Sequence, residues 1–582
     1  MQQSLKRVGL GLTPIVVAAL IVTATLLPAL TATNADATTG LPAQDAGKSE
    51  GQAGGPIEIP TPETEATADW SGVTRNVPDQ YPTIQSAVDA AIPGDLILIQ
   101  PGVYQESVAV TTDSLTLRGV DRNAVILDGE FTRDNGVIAT ADGVAIENMT
   151  ARNYTTNGFF WTGVTGYRGS YLTSIDNWVY GIYAFDSVDG LLEHSYASGS
   201  WDAGFYVGQC DPCNAVVSDV VAEFNGLGYS GTNSSGNMFI VNSEWGHNVA
   251  GIVPNTLDSE ALPPSHDVTI AGNYIHHSGE VGRAPSGTAE WSAYGNGVVL
   301  AGSRDSVVRN NLLVNNRSGG VQVVSMIDAN LWRSGGNEVR DNHIRGSGRA
   351  DLLLGGPLEQ GSCFAGNDAA SSVPFLLPWL HRCGGINLPL WYGLATSSDP
   401  LGRIAQAEND QNPQLRHGDS SIPKPDLEFE QMPGGVDAPV RPAVDVFNGL
   451  GFDPTIIVTP EVPADVDVDD RRPSIFGIVL GAGFWPVLYG ALMWWVPMLV
   501  WLLGGAWVLA KLILGRINKA RSMPGIALWG LLAVLLPVIG VLLFAAFGNR
   551  QASILRRLVT IGGGIIVWLL VTVVALLVGG VF

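Results

Sequence analysis

Seven short segments of this chain repeat one pattern, a polar or aromatic lead-in followed by a glycine and then alternating apolar residues. The glycines are Gly158, Gly181, Gly204, Gly228, Gly251, Gly297 and Gly320, spaced by 23 or 24 residues except for one step of 46. A fixed period this short means one structural unit stacked on copies of itself, so it restricts the fold to a solenoid. Side chains alternate along a strand and neighbouring strands lie about 4.8 Å apart. The residues directly after each glycine (Phe159, Ile182, Phe205, Tyr229, Ile252, Val298, Val321) are therefore expected to point inward. The next ones (Phe160, Tyr183, Tyr206, Ser230, Val253, Val299, Gln322) should point outward.

The same spacing supplies a second strand set ending mostly in Asn or Ser, at Asn148, Ser195, Asn242, Asn273, Asn311 and Asn342. Recurrence at one coil position predicts a ladder, with side-chain amides bonded to the coils above and below. The 46-residue step still contains its middle strand, 268–273, so its excess is read as two insertions, about 256–266 and about 278–293. Insertions in a solenoid gather on one face and often build its binding site.

Before the repeat, Thr83 is placed to cap a short helix with Ile84, Ala87, Val88 and Ala91 on one face, ended by Pro93-Gly94-Asp95. Strand signals follow at 96–100, 108–110, 115–119 and 124–129. The helix, the Pro-Gly-Asp turn, Gly102-Val103-Tyr104-Gln105-Glu106, Leu115-Thr116-Leu117-Arg118-Gly119 and Ile126-Leu127-Asp128-Gly129 together resemble the N-terminal cap of pectate-lyase-like right-handed parallel β-helix proteins. The resemblance covers residues 74–354 and implies an all-β right-handed parallel β-helix. It leaves function open, because that family contains lyases, esterases, hydrolases, epimerases, copper-site maturation proteins and non-catalytic binders. Its uronate lyases use carboxylates with calcium, so calcium enters only if the chemistry is of that kind; no motif demands a cofactor. The esterase segments that should accompany the Gly-Val-Tyr-x-Glu motif are missing, so that motif is read as structural.

The rest of the chain is organised around this domain, read as 74–384. Residues 1–37 combine Lys6 and Arg7 with an apolar run and a small-residue stretch, the pattern of a signal peptide or signal anchor. Residues 38–73 read as a disordered linker and 385–473 as a Pro/Asp-rich, solvated spacer. Residues 474–582 are read as a membrane domain of three or four apolar helices, with stretches at 475–510, 524–547 and 558–582 separated by basic loops. The stretch from Met523-Pro524-Gly525 to Asn549-Arg550 resembles the paired membrane helices that precede the catalytic domains of phospholipase-D-type cardiolipin synthases, although no His-x-Lys motif occurs. The expected location is the cell membrane, multi-pass, with the β-helix on the extracytoplasmic side, and membrane lipid as a partner. Cys210/Cys213 and Cys363/Cys383 are expected to form two disulfides, as befits an exported chain.

A formal net charge of −23 argues against nucleic acid as a partner, since phosphate backbones need a basic field. A polysaccharide suits the chain better. The residues three before each glycine (Thr155, Trp178, Trp201, Asn225, Asn248, Tyr294, Arg317) are likewise assigned outward. Trp178, Tyr183, Trp201, Tyr206 and Tyr294 thus fall at outward positions near the glycines and would offer aromatic faces to sugar rings. Polar candidates near them are Asp176, Asp202, His247, His276, His277, Glu280, Arg283, Glu290 and Arg317. Asp202, Glu290 and Arg317 are selected as the acid, base and substrate clamp. His276-His277 with Glu280 is read as a solvated loop, with no metal site expected, because a coil turn lacks the helical geometry that would converge them. The expected function is binding, and cleavage or epimerisation, of an extracellular or envelope polysaccharide. The rival is a non-catalytic receptor or scaffold, aiding assembly of an envelope complex through protein partners at its membrane helices.

Overall fold

The computed structural model describes residues 70–279, 293–348, 350–355, 361–373, 377–385, 428–441, 443–450, 453–463 and 468. The segments read from the sequence as a leader and a linker, up to residue 69, and all three apolar C-terminal stretches lie outside them. Among the described residues no helix is long and apolar enough to cross a membrane.

The described chain winds as stacked coils whose strands pair in parallel into a 20-stranded and an 11-stranded sheet. Register follows the glycine repeat. Phe159 pairs with Ile182, Ile182 with Phe205, Phe205 with Tyr229, Tyr229 with Ile252, Ile252 with Val298, and Val298 with Val321. All seven are fully buried. Each therefore contributes on the order of 1.5–3 kcal/mol of apolar burial. The glycines recur for a steric reason: a Cβ on Gly158 would sit 2.7 Å from the carbonyl oxygen of Gly181, and one on Gly181 would sit 2.6 Å from that of Gly204.

The N-terminal cap forms as expected and shows what its motifs do. Thr83 and Ser86 exchange side-chain and backbone hydrogen bonds in a capping box at the start of the helix Ile84–Asp89. Glu106, the last residue of the Gly-Val-Tyr-x-Glu motif, accepts from the amides of Ile84 and Gln85, both at 3.1 Å. A carboxylate on otherwise unpaired amides at a helix start is structural, as read from the sequence. Both disulfides, Cys210–Cys213 and Cys363–Cys383, are formed.

The asparagine ladder is present in its lower half. Asn273 donates to Asn311, Asn311 to Asn342 and Asn342 to Asn367, at 2.9–3.0 Å. Asn148 and Asn242, assigned to the same ladder from sequence, instead occupy the preceding corner position, with φ of 54° and 48°. A second ladder was hidden: Asn225 and Asn248, placed outward by counting back from the glycine, are fully buried, and Asn225 donates to Asn248 at 3.1 Å. The count fails because the coils are not equal. Gly190 pairs with Ala215 across the lengthened Cys210–Cys213 turn, while Ala203 pairs with Leu227 after Gly226 shortens the next corner.

The segment read as a solvated spacer requires the largest correction. Its described part lies as a strap along the outside of the 20-stranded sheet. Arg118 donates to the carbonyls of Ala438 (2.7 Å) and Pro439 (3.0 Å), Asn148 accepts from the Met432 amide, and Asp189 accepts from the amides of Val446 and Phe447. Leu450 and Ile457 are buried with Leu191, Val216, Val241 and Ala271. Proline-rich backbone has carbonyls to spare, and here they satisfy sheet arginines whose charges need partners. Below the strap Glu147 accepts from both Arg118 (2.8 Å) and Arg168, and all three side chains are buried.

Candidate functional site

The outward column predicted for the 11-stranded sheet is real: Phe160, Tyr183, Tyr206, Ser230 and Val253 are successive register partners. Aromatic residues fill its upper end. Phe160 and Tyr183 stack with centroids 4.4 Å apart, and Tyr183 meets Tyr206 edge-on at 4.8 Å. Tyr180, at the start of the strand Tyr180–Phe185, packs against both Tyr183 and Tyr206.

Tyr180 of this cluster lines a cleft of about 300 Å³, together with Asp202, Ser230, Thr232, Asn255, Glu260 and Ala293 among others. The first insertion of the long coil supplies its roof. That loop leaves the strand Ala250–Asn255 and is anchored by Asn233, whose amide donates to the carbonyls of Leu257, Glu260 and Ala261. It carries Glu260 over the sheet, where both carboxylate oxygens accept from the Tyr206 hydroxyl at 2.7 Å. Tyr180 donates to Asp202 at 3.1 Å. Among the described residues the cleft thus holds two carboxylates, each tied to a phenol of the same aromatic cluster.

Burial pushes Glu260 up to about 7; the neighbouring Asp202 charge adds to the rise, and the hydrogen bond from Tyr206 opposes it. Burial and the Asp202 charge likewise hold Tyr180 protonated throughout the neutral range. A carboxyl group that is half protonated near neutrality can both give and take a proton. Glu260 was not singled out in the sequence, although the insertion containing it was.

Other expectations divide. Trp178 and Trp201 are exposed, 41% each, on successive coils at the corner leading into the 11-stranded sheet. Tyr206 is 1% exposed beneath the inserted loop, so it supports the cleft rather than offering an open face. Tyr294 is also buried, donating to the carbonyl of Gly279 at 2.9 Å, and pins the stem of the second insertion instead of facing a ligand. Asp202 lines the cleft, but Arg317 sits four coils away beside Gly279 and Gly295, roughly 19 Å at one strand spacing per coil. Glu280, Arg283 and Glu290 lie outside the described residues. The clamp of Asp202 with Arg317 is therefore not assembled. Asp176 is a buried corner residue with φ of 53°.

A family model described as a right handed beta helix region matches residues 135–342. The described coils form a right-handed parallel β-helix. Among solved structures, the chain is similar to the mannuronan C-5 epimerase A-module of Azotobacter vinelandii, with 16% identity, covering 49% of this chain and 91% of that one at a TM-score of 0.32. It is also similar to an alginate lyase from Paenibacillus sp. (14% identity, 52% and 99% covered, TM-score 0.34). A third is the pectate lyase Pel9A (16%, 50% and 74%, TM-score 0.27).

Calcium, expected only for a uronate lyase, takes six to eight oxygen ligands. Among the described residues the carboxylates lining the cleft are Asp202 and Glu260, and both are engaged by tyrosines, which does not fit such a site. The histidines behave differently from expectation. His276 and His277 converge with His247, with ligand atoms of all three within 4.8 Å of one another. Stacked coils bring together residues distant in sequence, so convergence needs no helix.

Proposed function

We propose that the protein is a membrane-anchored, extracytoplasmic β-helix that binds a polysaccharide on its 11-stranded face and modifies it by proton transfer in the cleft beneath the inserted loop. One observation carries this reading: Asp202 and Glu260 line the same cleft, each hydrogen-bonded to a tyrosine, with Glu260 raised by burial to about 7. Such a pair suits abstraction and return of a proton at a sugar carbon, or protonation of a glycosidic oxygen. Trp178 and Trp201 extend the cleft's edge with exposed apolar faces on which further sugar rings can stack. Anchoring rests on the apolar stretches at the two ends of the chain.

The rival, a non-catalytic receptor or scaffold, draws support from the same bond. Tyr206 engages both oxygens of Glu260, which also suits a purely structural clamp for the loop. Purified chain in detergent, incubated with uronate and neutral polysaccharides, separates the two. Release of unsaturated uronate, shortened chains or altered epimer content, abolished by E260Q and D202N, supports the enzyme. Binding without turnover sinks the proton-transfer chemistry and supports the receptor; absence of both overturns the polysaccharide reading.

A further inference from the structure

The corner that follows the second row of strands holds a column of residues with positive φ, among them Asn153, Phe224, His247, His277 and Asn315. Two successive members of that column are histidines. His247 follows the strand Glu244–Gly246 and His277 follows Tyr274–His276, and the pairing of these strands stacks the two imidazoles at 4.9 Å, 16° from parallel. His276 closes the group from the side, edge-on to both rings at 5.2 and 5.1 Å.

Hydrogen bonding orients the third ring. His276 Nε2 lies 3.0 Å from the Glu244 carboxylate, one coil above, so the proton sits on Nε2 and the lone pair on Nδ1. That lone pair points at Nδ1 of His277, 2.9 Å away. Two facing ring nitrogens this close need a proton or a cation between them. Tyr274 stacks on the outer face of His276 at 4.2 Å, and the His276 side chain is 8% exposed. The ring is thus held in place on its carboxylate side and on one face. A carboxylate holding one nitrogen of an imidazole while the other faces a cluster of ligands is the arrangement that surrounds protein-bound zinc.

We propose that His247, His276 and His277 together bind one divalent first-row transition cation, Zn2+ or a competitor of the same borderline class. Among the described residues the donors are three nitrogens with no carboxylate among them, a set that suits zinc, copper, nickel or cobalt rather than calcium or magnesium. Ligand atoms within 4.8 Å of one another can reach Zn–N distances of about 2.0–2.1 Å by small rotations about χ1 and χ2. Three protein ligands leave a fourth position for water or an incoming group. The site is separate from the Asp202–Glu260 cleft, and the proposal stands whether or not that cleft acts on polysaccharide.

The test uses the whole chain in detergent, free of any histidine tag and stripped with a chelator. Titration with Zn2+ against a chromophoric chelator, and with Co2+ followed by its visible absorption, reads stoichiometry and ligand field. The expected result is one ion per chain, with Co2+ giving the intense bands of a four-coordinate site. H247N and H277N are the informative variants, because Asn already occupies the same positive-φ corner at Asn153 and Asn315 and the fold should tolerate it. Each should weaken binding by at least tenfold with thermal unfolding in chelator unchanged. E244Q should weaken it roughly 10- to 100-fold by freeing His276 to turn. Absence of one-to-one binding to the wild-type chain overturns the site. So does unchanged affinity in the H247N/H277N double variant, which would place the ion elsewhere.

Discussion

Tyr206 donates its phenolic hydrogen to Glu260 with both carboxylate oxygens 2.7 Å away, and so joins a sheet strand to a loop 54 residues further along the chain. Burial raises Glu260 from its ordinary 4.5 to about 7, which fixes a sign for the dependence of stability on pH. The folded state keeps its proton where the unfolded state loses it, so stability falls as pH rises from about 4.5 to about 7 and is flat above. Wild type compared with E260Q should lose on the order of 2 kcal/mol across that window, read as the difference between their denaturation curves at each pH. A difference that stays level, or that grows with pH, would contradict the burial of an ionisable Glu260. Y206F removes the one interaction that opposes the rise, and should move the window upward.

Trp178 and Trp201 should matter to ligand and not to folding. Both are exposed at 41% on adjacent coils, so W178A and W201A should leave unfolding within about 0.5 kcal/mol of wild type. Each should weaken polysaccharide binding by roughly 5- to 30-fold, the equivalent of about 1–2 kcal/mol of stacking and area. Isothermal titration with the substrate found in the activity screen measures this, and unchanged affinity in both variants would remove the tryptophans from the site. Y294F offers the contrast: it should leave binding intact and cost about 1 kcal/mol, since it breaks the bond to Gly279.

Asn311 should be among the least replaceable polar residues. It is fully buried, donates to the carbonyls of Ile270 and Arg309 and to Asn342, and accepts from Asn273. N311A leaves several of those buried groups without partners, at a cost of about 3 kcal/mol or more. Hydrogen exchange should rise first in the coils on either side of it, because a solenoid transmits stability between neighbours. N242A, at a corner outside the ladder, should cost far less.

Glu147 should prove essential to the strap. It is 2% exposed and accepts from Arg118 and Arg168, which in turn hold the carbonyls of Ala438, Pro439 and Arg441. E147Q leaves two buried guanidinium groups without a counter-charge, costing on the order of 3–5 kcal/mol. Limited proteolysis should then cut within residues 428–450 sooner than in wild type. Equal cleavage rates would mean that the apolar contacts of Leu450 and Ile457 hold the strap unaided.

The repeat made most of the fold legible. Phe159, Ile182 and Phe205 are inward because a strand alternates and because the preceding glycine has no room for a Cβ; both are local rules that sequence obeys. Legibility ended where coils change length. Gly226 shortens one corner, and the count that placed Trp178 and Trp201 correctly at the surface put Asn225 and Asn248 there too, although both are buried. The cleft was half legible: the long coil between Gly251 and Gly297 marked the right insertion, yet Glu260 within it has no motif to distinguish it from a solvated acid.

By itself, then, the sequence settled the stacking period, the side chains that point inward after each glycine, the N-terminal cap and the insertion that roofs the cleft, since each depends on residues near one another in the chain. Only tertiary structure decided which polar groups meet. Tyr206 with Glu260, His247 with His277 and Glu147 with two arginines are separated by whole coils, and their burial, which turns ordinary side chains into a raised carboxyl or a cluster of facing imidazoles, exists only once those coils are stacked.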